Sequence, residues 1–151
     1  LDFSDFYRSE FDRVYRSAWL SARDRDLALD ATQEAFTRAF ARWRRLHDKP
    51  WAVGWVIKTA LNLIKGRKRG SPFLPDGSPA SERSPTAGRV DMTRGLSRLP
   101  IRMQTALVLR YVADLPIREI AEVMGISEGG VKSHLAQGRN ALRPHLEERD
   151  A

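Results

Sequence analysis

Apolar residues recur along this chain at intervals of three and four, and no segment alternates as a half-buried strand does. Phe3, Phe6, Tyr7, Phe11, Val14, Tyr15, Ala18 and Trp19 fall on one helical stripe, an aromatic-rich face suited to a core. From Asp26 to about Leu46 the spacing predicts a second helix that buries Leu29, Phe36, Phe40 and Trp43. Its opposite face carries Asp30, Gln33, Glu34 and Thr37 at i, i+3, i+4 and i+7. A third helix is predicted from Trp51 to Lys65, with Val53, Ile57, Ala60, Leu61 and Ile64 inward and Trp51, Trp55, Lys58, Asn62 and Lys65 on another face. Periodicity then stops. Gly70 to Val90 holds four of the chain's eight prolines with many Gly and Ser, the composition of a flexible tether. Extended at ~3.3 Å per residue, such a tether reaches roughly 70 Å, about two turns of duplex DNA. Helical spacing resumes from Met92 to Leu99. It continues from Pro100 to about Ala113, where Met103, Ala106, Leu107 and Leu109 are apolar. The expected architecture is all-α, with two small helical domains (1–69 and 92–151) joined by a flexible linker (70–91).

Leu115 to Leu142 has a more specific form. Ile117, Ile120, Ala121 and Met124 mark a first helix, Gly125 can take the left-handed conformation that ends it, and Ser127 can cap a second helix. Val131, Leu135 and Leu142 give that second helix its buried side. Lys132, Ser133, Gln137 and Arg139 stand on the other, donors that suit base edges and phosphates in a major groove. An ordinary helical hairpin needs no such coincidence of turn glycine, cap and basic second helix, so the segment reads as a DNA-binding helix-turn-helix.

Charge supports a polyanionic partner. The 151 residues carry a formal net charge of +7, with a pI near 10.4. The excess is local: residues 1–34 are acid-rich, whereas 35–69 contain Arg38, Arg42, Arg44, Arg45, Lys49, Lys58, Lys65, Arg67, Lys68 and Arg69 against Asp48 alone. No cysteine is present, which excludes disulfides and thiolate metal sites. His47, His134 and His145 lack ligand spacing, and no glycine-rich phosphate loop occurs. No catalytic residues, metal or cofactor are expected. No apolar run has spanning length and the start lacks a signal-peptide layout, so a cytoplasmic chain without membrane insertion is expected.

Three stretches resemble one family. DATQEAFTRAF at 30–40 is similar to the acidic docking helix of bacterial sigma factors, especially the small extracytoplasmic-function (ECF) group, with Asp30, Gln33, Glu34, Phe36, Arg38 and Ala39 in matching places and Ala31-Thr32 replacing a bulkier apolar pair. The resemblance implies docking on the clamp helices of the largest subunit of RNA polymerase core through Asp30, Gln33, Glu34, Thr37 and Arg38. WVIKTALNLIKGRKR at 55–69 resembles the family's helix that reads and melts the minus-ten promoter element. It implies a DNA-binding set of Trp55, Lys58, Asn62, Lys65, Arg67, Lys68 and Arg69. Physical chemistry agrees, since an aromatic, amide and basic face can stack an unpaired base, worth ~1–3 kcal/mol, and neutralise its strand. Tryptophans buried in the core would equally satisfy the pattern.

Leu99 through Arg143 resembles the domain that reads the minus-thirty-five element, through Leu99-Pro100, Leu109-Arg110-Tyr111, Glu119-Ile120-Ala121, Gly125-Ile126-Ser127, Gly129, Val131-Lys132-Ser133, Leu135, Arg139 and Leu142-Arg143. The implied DNA-binding set is Ser127, Gly130, Lys132, Ser133, His134, Ala136, Gln137 and Arg139. Gly130 replaces a usual threonine, His134 and Gln137 common arginines, and Gly138 a usual alanine. A glycine at position 138 costs a helix about 1 kcal/mol against alanine. The chain is therefore identified as resembling an ECF sigma factor, a non-catalytic factor that carries polymerase core to promoter DNA and helps open the minus-ten element. The resemblance also implies an anti-sigma partner. One alternative is a helix-turn-helix regulator, since Val131-Lys132-Ser133-His134 also resembles a regulator motif, although such proteins usually bring an α/β sensing domain. Another is an N-terminal helical module used only for protein interaction.

Overall fold

The computed structural model describes residues 2–70 and 87–150, with side chains described over 2–68 and 93–144. Eight helices occur there: α1 (Phe3–Ala22), α2 (Arg25–Ala41), α3 (Trp43–Leu46), α4 (Ala52–Gly70), α5 (Ala87–Arg98), α6 (Ile101–Tyr111), α7 (Ile117–Met124) and α8 (Glu128–Asp150). No strand occurs among the described residues, so the all-α expectation holds. The helices form two clusters, α1–α4 and α5–α8. Most of the expected linker, 71–86, lies outside the described residues. Its flanks differ from expectation, because α4 runs on to Gly70 and α5 already begins at Ala87.

Polar caps set the N-terminal boundaries. The Asp2 carboxylate accepts from the Asp5 N–H at 2.8 Å to start α1, and Asp24 accepts from Leu27 N–H at 3.0 Å to start α2. Between them Arg23 takes φ 53, and its N–H closes α1 on the Trp19 carbonyl at 2.7 Å. This two-residue reversal brings α2 back along α1.

α1, α2 and α4 pack on one another around Phe6, Val14, Ala18, Phe36, Val56, Ile57, Leu61 and Ile64. Small residues on α2 allow the approach: Ala28, Ala31, Thr32, Ala35 and Ala39 are buried, and the Thr32 hydroxyl donates to the Ala28 carbonyl at 2.7 Å. The replacement of a bulky pair by Ala31-Thr32 thus falls at the helix contact itself. Aromatic rings close the end of the bundle. Tyr7 and Phe36 meet at 4.8 Å between centroids and Phe6 and Trp43 at 4.8 Å, contacts of about 0.5–1.5 kcal/mol each beyond area burial.

The second predicted helix is interrupted. α2 ends at Ala41, Arg42 leaves helical geometry, and α3 adds one short turn. Within α2 the buried face is Leu27, Ala28, Ala31, Thr32, Ala35, Phe36 and Ala39, and two side chains expected inside lie outside it: Leu29 is 38% exposed and Phe40 64% exposed. The third helix buries all of Val53, Ile57, Ala60, Leu61 and Ile64 as expected.

In the second cluster α5, α6 and α7 pack on α8. Gln104 is buried where α5 meets α6, donating to the Leu96 carbonyl at 3.1 Å. The α6–α7 connection is held by Arg110, whose guanidinium donates to the Leu115 carbonyl at 3.2 Å. The clusters also touch, α1 against α5 and α4 against α6 and α7, and share one continuous buried core.

Candidate nucleic-acid and polymerase interfaces

The turn between α7 and α8 has the geometry expected of it. Gly125 sits at φ 67, a left-handed conformation that glycine adopts without a Cβ penalty, and its N–H bonds the Ala121 carbonyl at 2.9 Å. The Ser127 hydroxyl accepts from Gly130 N–H at 3.0 Å, which caps α8 and commits that oxygen locally. Val131 and Leu135 then anchor α8 to the core. Ser133, Ala136 and Gln137 project to solvent, the Gln137 amide donating to the Ser133 hydroxyl at 3.2 Å, and Lys132 is exposed beside them.

The remaining members of this set fall on the flanks. His134 is half-buried and lines a cavity between the two clusters, with Nδ1 unpartnered. Arg139 reaches the opposite way and donates to the Tyr111 hydroxyl at 3.0 Å. Asn140, which sequence reasoning missed, continues the exposed face one turn past Ala136, at i+7 from Ser133. That spacing was its available signal.

Gly138 has a packing reason. It is buried, and a Cβ there would meet Leu107 Cδ1 at 2.7 Å and Cγ at 3.1 Å. The glycine lets α8 cross α6 closely, which fixes how the exposed face is presented.

On α2, Asp30, Gln33, Thr37 and Arg38 are exposed and Glu34 half-buried. Three of them are held by neighbours. Arg67 approaches Asp30 at 3.7 Å, Arg38 Nε donates to Glu34 Oε1 at 3.1 Å, and the Tyr7 hydroxyl donates to Gln33 Oε1 at 3.1 Å. Phe3, Tyr7, Phe36 and Phe40 border a shallow hollow with Gln33 and Thr37. The acidic face is therefore joined to an apolar one that sequence reasoning had assigned to the core. The misleading signal was the size of Phe40, since α2 packs inward through the small residues Ala28, Ala31, Thr32, Ala35 and Ala39.

On α4, Asn62 is exposed, while Trp55, Lys58 and Lys65 are half-buried. The Arg42 guanidinium lies 5.7 Å from the Trp55 ring centre, a cation–π contact that holds the ring at the surface of α4. Lys58 Nζ donates to the Val123 carbonyl at 3.2 Å, and Lys68 Nζ to the Ser21 carbonyl at 2.9 Å. Burial pushes the Lys68 ammonium pKa down, Arg23 adds to the fall and Asp24 partly opposes it. Arg67 is exposed, and the Arg69 side chain lies outside the described residues. No grouping of three or more metal-ligating side chains exists among the described residues, and no helix there is long and apolar enough to cross a membrane.

Among the described residues, then, one cluster carries a capped helix-turn-helix, the form of a DNA-binding protein, and the other sets an acidic-apolar helix beside an aromatic-basic one. Comparison with known proteins defines the chain further. The family described as Sigma-70, region 4 matches residues 89–142. RNA polymerase sigma-E factor of Streptomyces avermitilis is 29% identical over 99% of this chain and 88% of its own length, and RNA polymerase sigma factor SigV of Bacillus subtilis is 27% identical over 97% and 87%. Among solved structures, the sigma factor RpoE of Bartonella quintana, crystallised with the anti-sigma factor NepR, shares the fold with a TM-score of 0.74 at 19% identity over 97% of both chains. The chain belongs to the ECF sigma factors, the group 4 members of the sigma-70 family, which are transcription initiation factors and not enzymes.

Proposed function

We propose that the chain carries out initiation through three separate surfaces. The α2 face of Asp30, Gln33, Glu34, Thr37 and Arg38, extended by Phe40 and Leu29, docks on the clamp helices of the largest polymerase subunit. The α4 face of Trp55, Lys58, Asn62 and Lys65, with the basic run to Arg69, receives the minus-ten element and its unpaired strand. The exposed side of α8, centred on Ser133, Ala136 and Gln137 with Lys132 alongside, reads the minus-thirty-five element. Residues 1–70 and 87–151 act as the two working units.

What carries this reading is the division of labour between the clusters. A repressor needs only the α7–α8 unit, whereas this chain also exposes Asn62 and a lysine- and arginine-rich end on α4. Such a face has no use in binding an intact duplex from the other cluster, and it suits a single strand. The acidic-apolar patch on α2 has the mixed composition of a protein-docking surface, an apolar centre bordered by charge. An anti-sigma factor is a further expected partner, in keeping with the family. The chemistry of RNA synthesis belongs to the polymerase.

The test is run-off transcription with purified core polymerase on a library of promoters, together with capture of core by the tagged chain. Stable capture and sequence-selective transcripts are expected. Promoter-length DNA binding without core capture would leave a helix-turn-helix regulator as the better account.

A further inference from the structure

α4 approaches the C-terminal cluster closely at Gly54, where a Cβ would meet Leu115 Cδ1 at 2.7 Å and Val123 Cγ2 at 2.9 Å. Toward the other end of α4 a cavity of about 610 Å³ lies between Ile64, Lys65 and Lys68 on one side and Arg102, Gln104 and His134 on the other. Its charge is of one sign. Three cations meet there with no carboxylate among the described lining residues, and neither Lys65 nor Arg102 is in an ion pair among the described residues. Burial and Arg23 work against the Lys68 charge and Asp24 only partly opposes them, so an anion in the cavity would offset an electrostatic cost.

Two buried polar atoms ask for more than a bare anion. Gln104 is 3% exposed, and its Nε2 donates to the Leu96 carbonyl at 3.1 Å and reaches the Leu99 carbonyl at 3.5 Å. Those carbonyls fix which branch of the amide is nitrogen, and Oε1 is left with no donor among the described residues. His134 Nδ1 is likewise buried and unpartnered. Buried polar atoms are nearly always satisfied, so an unpaired acceptor and an unpaired ring nitrogen on one cationic cavity call for a molecule that brings both a donor and an acceptor. Leu99, Pro100 and Met103 add apolar wall against which a flat ring can lie.

We propose that this cavity binds a free nucleoside diphosphate whose base carries an amino group. The diphosphate lies among Lys65, Lys68 and Arg102, and the exocyclic amine donates to Gln104 Oε1. His134 donates from Nδ1 to a phosphate or ribose oxygen in the tautomer that places the proton there. The guanidinium fork of Arg102 matches a pair of phosphate oxygens, and Lys68 gives one N–H to the Ser21 carbonyl and keeps two for the ligand. Size agrees, since small-ligand cavities span about 300–1,000 Å³. A lone phosphate would leave Gln104 Oε1 and the apolar wall unused. Lys65 and Lys68 also belong to the face proposed for the unpaired strand, so nucleotide and strand would compete. That consequence rests on the functional reading above, and the binding itself does not.

Calorimetric titration of the full chain with ADP, GDP and inorganic pyrophosphate, in the absence of polymerase, tests the site. At least one of the two nucleotides should bind one to one, at least tenfold more tightly than pyrophosphate. Arg102→Glu should weaken that binding at least tenfold while keeping the melting temperature of the native chain, because Arg102 is exposed. No saturable binding of either nucleotide at millimolar concentration, or equal affinity for pyrophosphate, would overturn the assignment of a nucleotide. Undiminished binding by Arg102→Glu would put the ligand elsewhere and overturn the site. A single-stranded oligothymidine should displace the bound nucleotide, and simultaneous binding of the two would overturn the competition. Failure of the native chain to capture core polymerase would instead refute the functional reading and leave the titrations unaffected.

Discussion

Replacing Gly138 with alanine should destabilise the protein, although a helix-interior glycine is ordinarily a position where alanine gains about 1 kcal/mol. The reversal comes from α6. The new methyl would stand 2.7 Å from Leu107 Cδ1 and 3.1 Å from its Cγ, and Leu107 is itself buried. Overpacking of this kind costs typically ~1–3 kcal/mol, which outweighs the propensity gain. Gly66 supplies the internal control, since it is exposed on α4 and a Cβ there meets nothing within 4 Å. Gly66→Ala should therefore stabilise by up to about 1 kcal/mol, and the two variants should differ by roughly 1–3 kcal/mol. Thermal melts and urea titrations followed by circular dichroism resolve such a gap, because 1 kcal/mol moves the midpoint by ~2–4 °C in a chain of this size. If Gly138→Ala stabilised as much as Gly66→Ala, the close crossing of α6 and α8 would be refuted. The placement of the α8 reading face would fall with it.

Three further outcomes follow from the surfaces. Reversing Asp30 and Glu34 together to lysine should leave the melting temperature almost unchanged, because exposed ion pairs such as theirs contribute ~0–1 kcal/mol each. A titration against core polymerase should nevertheless show at least tenfold weaker binding, and unaltered affinity would remove the α2 docking face. Gln137→Arg should change base preference at one or two positions of the upstream element by ~1–3 kcal/mol per base pair, read by selection from randomised DNA; an identical preference would mean that another side of α8 enters the groove. Lys68 has a folded-state pKa below its unfolded one, so the unfolded chain binds the proton more tightly and folding stability should rise with pH from the lowered value toward the ordinary lysine range. Lys68→Met should flatten that rise in denaturant titrations across the window, and an unchanged slope would assign the effect to another group.

Helical class and the inward faces of α1, α4 and α7 were legible because each depends on one amphipathic period, and Phe6, Val14, Ile57, Leu61 and Ile120 are buried where that period puts them. The helix-turn-helix was legible for a different reason. Gly125 and Ser127 act through backbone conformation and capping, which local sequence specifies. Phe40 was misread because large apolar residues were taken to mark the inward face, whereas the buried face of α2 is centred on the small residues Ala28, Ala31, Thr32, Ala35 and Ala39. Gly54 and Gly138 were opaque for a third reason: whether a glycine is a helix defect or a point of close approach depends on Leu115, Val123 and Leu107, which are remote in sequence. The contact between Lys58 and Val123 likewise joins residues 65 positions apart. Sequence pattern alone makes Lys58 a free cation on an exposed face, and packing between clusters decides otherwise.

The central claim, that one chain both places polymerase and helps part the strands, is tested most directly by permanganate reactivity of thymines in the minus-ten region of a promoter occupied by core polymerase and this protein. Reactive thymines should appear with both components present, and should diminish when Asn62 and Lys58 are replaced by alanine while capture of core is retained. A promoter fully occupied by the unmodified complex but showing no reactive thymine in that region would contradict the account.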